Sequence, residues 1–196
     1  MYFCPLQKLC YTNICITKSQ LDLINEIRML WEQHGAWTRM AIVSLTQDLP
    51  DVSFVTKRLL RNPVDFEMAL KPFYGDKIAS KFSDLLTSHL TLAAQLVNAA
   101  KAGDTKLAAD IEKQWYSNAD EIAAFLACIN PCWSERDWRI MLYKHLKFVK
   151  AEAVYMLTKD YAASIDVYDK MEMEILEMAD MMAKGIIRQF PCKFIK

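Results

Sequence analysis

Apolar positions recur three and four residues apart over long stretches of this chain, the spacing that lines one face of an α-helix. The clearest run, 137–157, sets Trp138, Leu142, His145, Val149, Glu152 and Met156 on one stripe behind a capping-box start, Ser134 to Asp137. The same spacing predicts a helix over 19–46, capped by Ser19, with Ile27, Leu30, His34, Trp37, Ala41 and Leu45 facing inward. Leu49-Pro50-Asp51 breaks it. Two short helices follow, one capped by Asp51 and ending near Arg61, the other running from Asn62–Pro63 to about Lys71. After a break at PFYGD, 76–102 carries Ile78, Phe82, Leu85, His89, Leu92, Leu96 and Ala99, and closes at Gly103. A helix from Asp104 to about Cys128 buries Leu107, Ile111, Trp115, Ile122 and Phe125, and Asn130–Pro131 ends it. The last, 162–188, reads Ile165, Tyr168, Glu172, Ile175, Ala179, Met182 and Ile186 before Pro191.

These elements predict an all-α fold, a mostly antiparallel bundle of four to five long helices plus two short connecting ones. One domain is expected over 19–190, behind an N-terminal arm over 1–18. Only 4 Gly and 6 Pro in 196 residues leave little turn chemistry for a many-stranded protein. With 24 basic and 24 acidic side chains and no basic block, nucleic acid is not expected as a partner. No apolar run is long enough to span a membrane, so no membrane association is expected. None of the six cysteines forms a CxxC pair and the start of the chain lacks a signal-peptide layout, which points to reduced thiols and the cytoplasm.

Candidate chemistry lies in the helix interiors. The three histidines, His34, His89 and His145, each fall on an apolar stripe near the middle of a different long helix. At about 1.5 Å per residue they reach similar heights, and Asp169 and Glu172 fall in the same zone. Three imidazoles and one or two carboxylates make a ligand set for Fe, Zn or Mn, so a metal-binding bundle is the first expectation, as an oxidoreductase or metal-assisted hydrolase. Glu152 lies two turns from His145, too far to share its metal. It is open to three roles: an outer acid beside the site, a second-metal ligand, or a partner for Arg39. The Glu-x-x-His pair of di-iron bundles is absent. The competing reading is a non-catalytic binding or interaction protein, in which core histidines hydrogen-bond to Glu152, Asp169 or Glu172 and Arg39 holds a small anionic ligand. Met171, Met173, Met178, Met181 and Met182 read as deformable core filler, and the five tryptophans as packing between helices. No Gly-rich phosphate loop or nucleophile motif occurs, so no nucleotide or organic cofactor is expected. Homo-oligomerisation and a small-molecule partner stay open.

HGAWTRMAIVSL, HLTLAAQLVNAA and HLKFVKAEAVYM, each beginning at a mid-helix histidine, can be laid over one another and suggest an internal repeat.

LWEQHGAWTRM, LLRNPVDF, FYGDKIA, HLTLAAQLVNAAKAGD, WYSNADEIAAFL, INPCWS, KAEAV and GIIRQFP together resemble a family of small all-helical bacterial proteins often labelled acetylglutamate kinase. The similarity covers about Leu30 to Pro191, leaving out the cysteine-bearing start and the CKFIK end. Cys132 stands where the family often has an aromatic residue. The resemblance implies the helical fold and marks His34, His89 and His145 as motif residues. The kinase label would require an α/β sandwich with Gly-rich phosphate loops, and four well-separated glycines without a strand pattern do not supply one.

Overall fold

The computed structural model describes residues 16–195, which are helical with no strand among them. The elements are α1 (Lys18–Thr46), α2 (Val52–Leu59), α3 (Asn62–Lys101), α4 (Thr105–Ile129), α5 (Glu135–Leu157) and α6 (Tyr161–Gln189), then a 3-10 turn over Pro191–Phe194. The expected all-α bundle is the fold observed. Of the expected arm over 1–18, residues 1–15 lie outside the described residues.

Boundaries differ from the sequence expectation where local chemistry decides them. Thr17, not Ser19, caps α1: its hydroxyl accepts from the Gln20 amide while the Gln20 side chain accepts from the Thr17 amide. The second short helix and the long one after it meet at a kink, the PFYGD break being contracted to a single non-helical residue. Gly75, at φ 76°, takes the left-handed turn that bends α3 and lets it resume at once. Leu107 is exposed, as are Ile165 and Met173. In α6 the expected Ile175, Ala179, Met182 and Ile186 are buried, while its first half turns Ser164, Val167, Met171 and Glu174 inward in place of Ile165, Tyr168 and Glu172.

Short turns at 102–104 and 158–160 fold α3 back on α4 and α5 back on α6. The five long helices close a ring in which α1 touches α3, α3 touches α4, α4 touches α5, α5 touches α6 and α6 returns to α1; α1 also meets α5 across the middle. Three helical hairpins make up this ring: α1 with α2 and the start of α3, the rest of α3 with α4, and α5 with α6. Each turns through a left-handed residue, Asp48, Gly103 or Lys159, and each return helix starts behind an aspartate, Asp51, Asp104 or Asp160.

Trp115, Trp138, Phe66, Phe82, Met171, Met178 and Met182 are fully buried. Burial of such side chains, at about 25 cal/mol per Å² of apolar surface, is the main stabilising contribution. Trp133 packs edge-on against Trp138, donates from Nε1 to the Met181 carbonyl (3.1 Å) and lies close against Gly185. A Cβ at Gly185 would overlap the indole, whereas one at Gly35 would meet only the end of the Ile175 side chain. Gly185→Ala is therefore expected to destabilise the fold by about 1–3 kcal/mol and Gly35→Ala by less. Urea unfolding of the two variants checks the order, and equal losses would contradict it.

Candidate functional site

The three histidines meet inside the bundle and are 2–3% exposed. The ring centroid of His145 lies 5.5 Å from that of His34 and 6.4 Å from that of His89. Each ring uses Nδ1 to reach the return helix of its own hairpin. His34 pairs with Asn62 Oδ1 (3.3 Å), His89 with Asn118 Oδ1 (2.9 Å) and His145 with Glu174 Oε2 (3.2 Å). The sequence separations are 28, 29 and 29 residues, so the echo seen in the sequence has a structural counterpart. The asparagines add a second matching bond: Asn62 Nδ2 donates to the Leu30 carbonyl (2.9 Å) and Asn118 Nδ2 to that of Leu85 (3.1 Å), each four residues before its histidine.

These amide bonds settle the proton on two of the rings. Because each asparagine donates through nitrogen to a carbonyl, its oxygen must accept from the histidine, so His34 and His89 carry hydrogen on Nδ1. Burial holds both below the ordinary imidazole value, with help from the neighbouring histidines; His34 lies well below it and His89 is pushed down to about 3. In the third hairpin a glutamate replaces the asparagine. A carboxylate cannot donate to a carbonyl, and Glu174 Oε1 finds no protein partner.

This arrangement corrects the metal expectation. Among the described residues no group of three or more His, Cys, Asp or Glu is placed to hold a metal ion. Of the expected ligands His34, His89, His145, Asp169 and Glu172, only the histidines come together. Asp169 is exposed, and Glu172 sits half-buried beside Glu32, whose own carboxyl is raised by burial and then by the charge and hydrogen bond of Glu172. The expectation of bound Fe, Zn or Mn, and the metal-dependent oxidoreductase or hydrolase built on it, falls with that set. Glu174, the acid that does face the layer, is not among the sequence-predicted ligands: a stripe through Ile175, Glu172 and Tyr168 puts it on the flank, whereas the buried row runs through Met171 and Val167.

Glu152, fully buried, pairs with Arg39 (2.6 Å), which also donates to Ser164 Oγ (3.0 Å) and the Ser164 carbonyl (3.3 Å). Of the three roles open to Glu152, it is the ion-pair partner that the geometry gives. Burial pushes its carboxyl up to about 7 against the pull of Arg39.

A cavity of about 340 Å³ opens among α3, α4 and α5. Ala93, Ala100, Ala108, Ala109 and Ala153 line it, with Trp115 beneath and the Lys150–Glu112 ion pair (2.6 Å) among the lining side chains. Trp115 also meets His89, at 5.4 Å between ring centroids, so the cavity backs onto the histidine layer.

Glu174→Gln supplies the amide that the other two hairpins have, and is expected to raise stability by about 0.5–1.5 kcal/mol in chemical denaturation. A loss above about 3 kcal/mol would show instead that a buried His145–Glu174 ion pair is required. For pH, the depressed histidines mean that the unfolded chain takes up protons the folded chain refuses. Their contribution is complete above 6.5 and is lost as pH falls toward 3. Glu152, raised in the fold, acts oppositely: its contribution is complete below 4.5 and is lost as pH rises through about 7. The melting temperature should therefore fall on acidification below about pH 6.5, more steeply in Glu152→Gln, where the opposing group is gone. A melting temperature that rises on acidification in that variant would contradict this.

In the comparisons with known proteins, no family model, no curated protein and no solved structure matches the chain.

Proposed function

We propose that the chain is a non-catalytic binding protein for a small apolar molecule, held in the cavity among α3, α4 and α5. The observation that carries this reading is the lining. Alanines from three helices face one space, where leucines or valines would have filled it, and the walls are completed by Leu96, Val97, Val149 and Leu157. A volume of about 340 Å³ lies at the lower end of small-molecule sites, which favours a compact ligand over an extended chain. Trp115 offers an aromatic face, and Lys150 and Glu112 are the charged groups in reach. On this reading the histidine layer is structural: it fixes the helices that form the walls and takes no part in chemistry. No helix among the described residues is long and apolar enough to cross a membrane, and a cytoplasmic setting accords with the thiol content. Membership of the bacterial helical family that the chain resembles is part of the same proposal, since the helical stretches carrying the resemblance include the cavity walls.

The test uses N-phenyl-1-naphthylamine, an uncharged dye that fluoresces in apolar surroundings. Saturable binding is expected for the unmodified protein, and Ala108→Phe, which places a ring in the cavity, should weaken it at least about tenfold while the helical content is kept. Equal binding by both proteins, or none by the unmodified one, would contradict the proposal.

A further inference from the structure

We propose a second site, independent of the apolar cavity: a groove beside α1 and α2 that binds a small ω-amino carboxylate, its carboxylate on Arg39 and its ammonium on Asp51. The groove has a volume of about 390 Å³ and is lined by Arg39, Met40, Val43, Ser44, Asp51 and Tyr168, among others.

Arg39 is held as an anion receptor. Its three hydrogen bonds, one to Glu152 and two to Ser164, all leave from Nη1, and the guanidinium lies over the Tyr168 ring at 5.1 Å. Nη2 and Nε make no protein hydrogen bond among the described residues, while the side chain stays 22% exposed. A planar fork fixed along one edge and free along the other matches a carboxylate in two-point contact. Glu152, buried and anchored on Nη1, sets the fork's orientation and leaves that free edge to a ligand.

Asp51 also lines the groove, exposed and without an ion pair among the described residues. Its side chain does not cap α2; Oδ1 accepts from Ser44 Oγ (2.9 Å) and Oδ2 is free for a cation. Ser44 follows Arg39 by five residues on α1, about 7.5 Å along the helix axis. A ligand bridging the two would carry opposite charges at its ends, and the lining between includes Met40, Val43 and Val55, which suits methylene groups. A plain carboxylate leaves Asp51 unanswered, and a plain amine leaves Arg39 unanswered.

The hairpin architecture does not require these groups. Shifting by the 55 residues that separate His34 from His89 places Ala94 and Ala99 where the first hairpin has Arg39 and Ser44. The 111 residues that separate His34 from His145 place Lys150 and Tyr155 there, and Lys150 is engaged by Glu112, so the pairing of an arginine fork with Ser44 and Asp51 occurs in the first hairpin alone among the three.

Calorimetric titration of the full chain with ε-aminocaproate, hexanoate and hexylamine tests the assignment. ε-Aminocaproate should bind at least about tenfold more tightly than either single-ended analogue. Asp51→Asn should reduce it to the level of hexanoate with the melting temperature unchanged. Arg39→Lys, which keeps a charge beside Glu152 but loses the fork, should weaken both carboxylates. Absence of ε-aminocaproate binding, or binding that Asp51→Asn leaves intact, would overturn the site; the Asp51 result decides the matter if Arg39→Lys does not fold.

Discussion

One hydrogen bond, made three times, organises this fold: an imidazole Nδ1 on the first helix of a hairpin meets a side-chain oxygen on the second. Its net contribution is modest, about 0.5–1.5 kcal/mol each, but a buried ring or amide left without its partner costs about 1–3 kcal/mol. That asymmetry fixes register. Sliding one helix of a hairpin past the other would strand both groups in an apolar interior, whereas leucines at these positions would tolerate the slip. The two asparagines extend the same logic to the backbone, because each ties its return helix to a carbonyl one turn before the histidine. Around this layer the aromatic and methionine core supplies most of the stabilisation, and the layer decides which packing is adopted.

Both proposed sites lie where the threefold pattern is broken. In the third hairpin, Glu174 replaces an asparagine and leaves one oxygen unpartnered. In the same hairpin Glu152 is buried where the second has Leu96, and only its pairing with Arg39 and Ser164 makes that tolerable. Arg39, held there through Nη1, also lines the groove beside α1 and α2. Between the second and third hairpins, small side chains leave the apolar cavity that backs onto Trp115 and His89. The two proposed sites thus occupy different junctions of the ring and recognise different chemistry.

Helical periodicity made the fold legible. Every member of the α5 stripe is buried, including the costly His145 and Glu152, because a regular amphipathic helix leaves little choice of face. The convergence of the histidines was legible from their heights along three helices. Their partners were not. Asn62 precedes a proline and reads as punctuation, yet it is fully buried in the first turn of α3. Asn118 lies in a polar stretch of α4 that gives no sign of an inward turn. Glu174 sits among alternating Met and Glu residues, where steps of three and four fit equally well; stepping back from Ile175 by three reaches Glu172, and Asp169 lies near it only in height. The cavity was invisible for a different reason: it arises from what alanines on three separate helices fail to fill.

The most direct test of this account is the protonation and tautomeric state of the three imidazoles, read from side-chain nitrogen-15 shifts and long-range proton–nitrogen couplings near neutral pH. The hydrogen-bond pattern predicts neutral rings with hydrogen on Nδ1 for His34 and His89, unchanged on mild acidification. An imidazolium signal from His34 or His89 at neutral pH, or hydrogen on Nε2 in either of these rings, would mean that the asparagines do not hold them and that the layer is built in some other way.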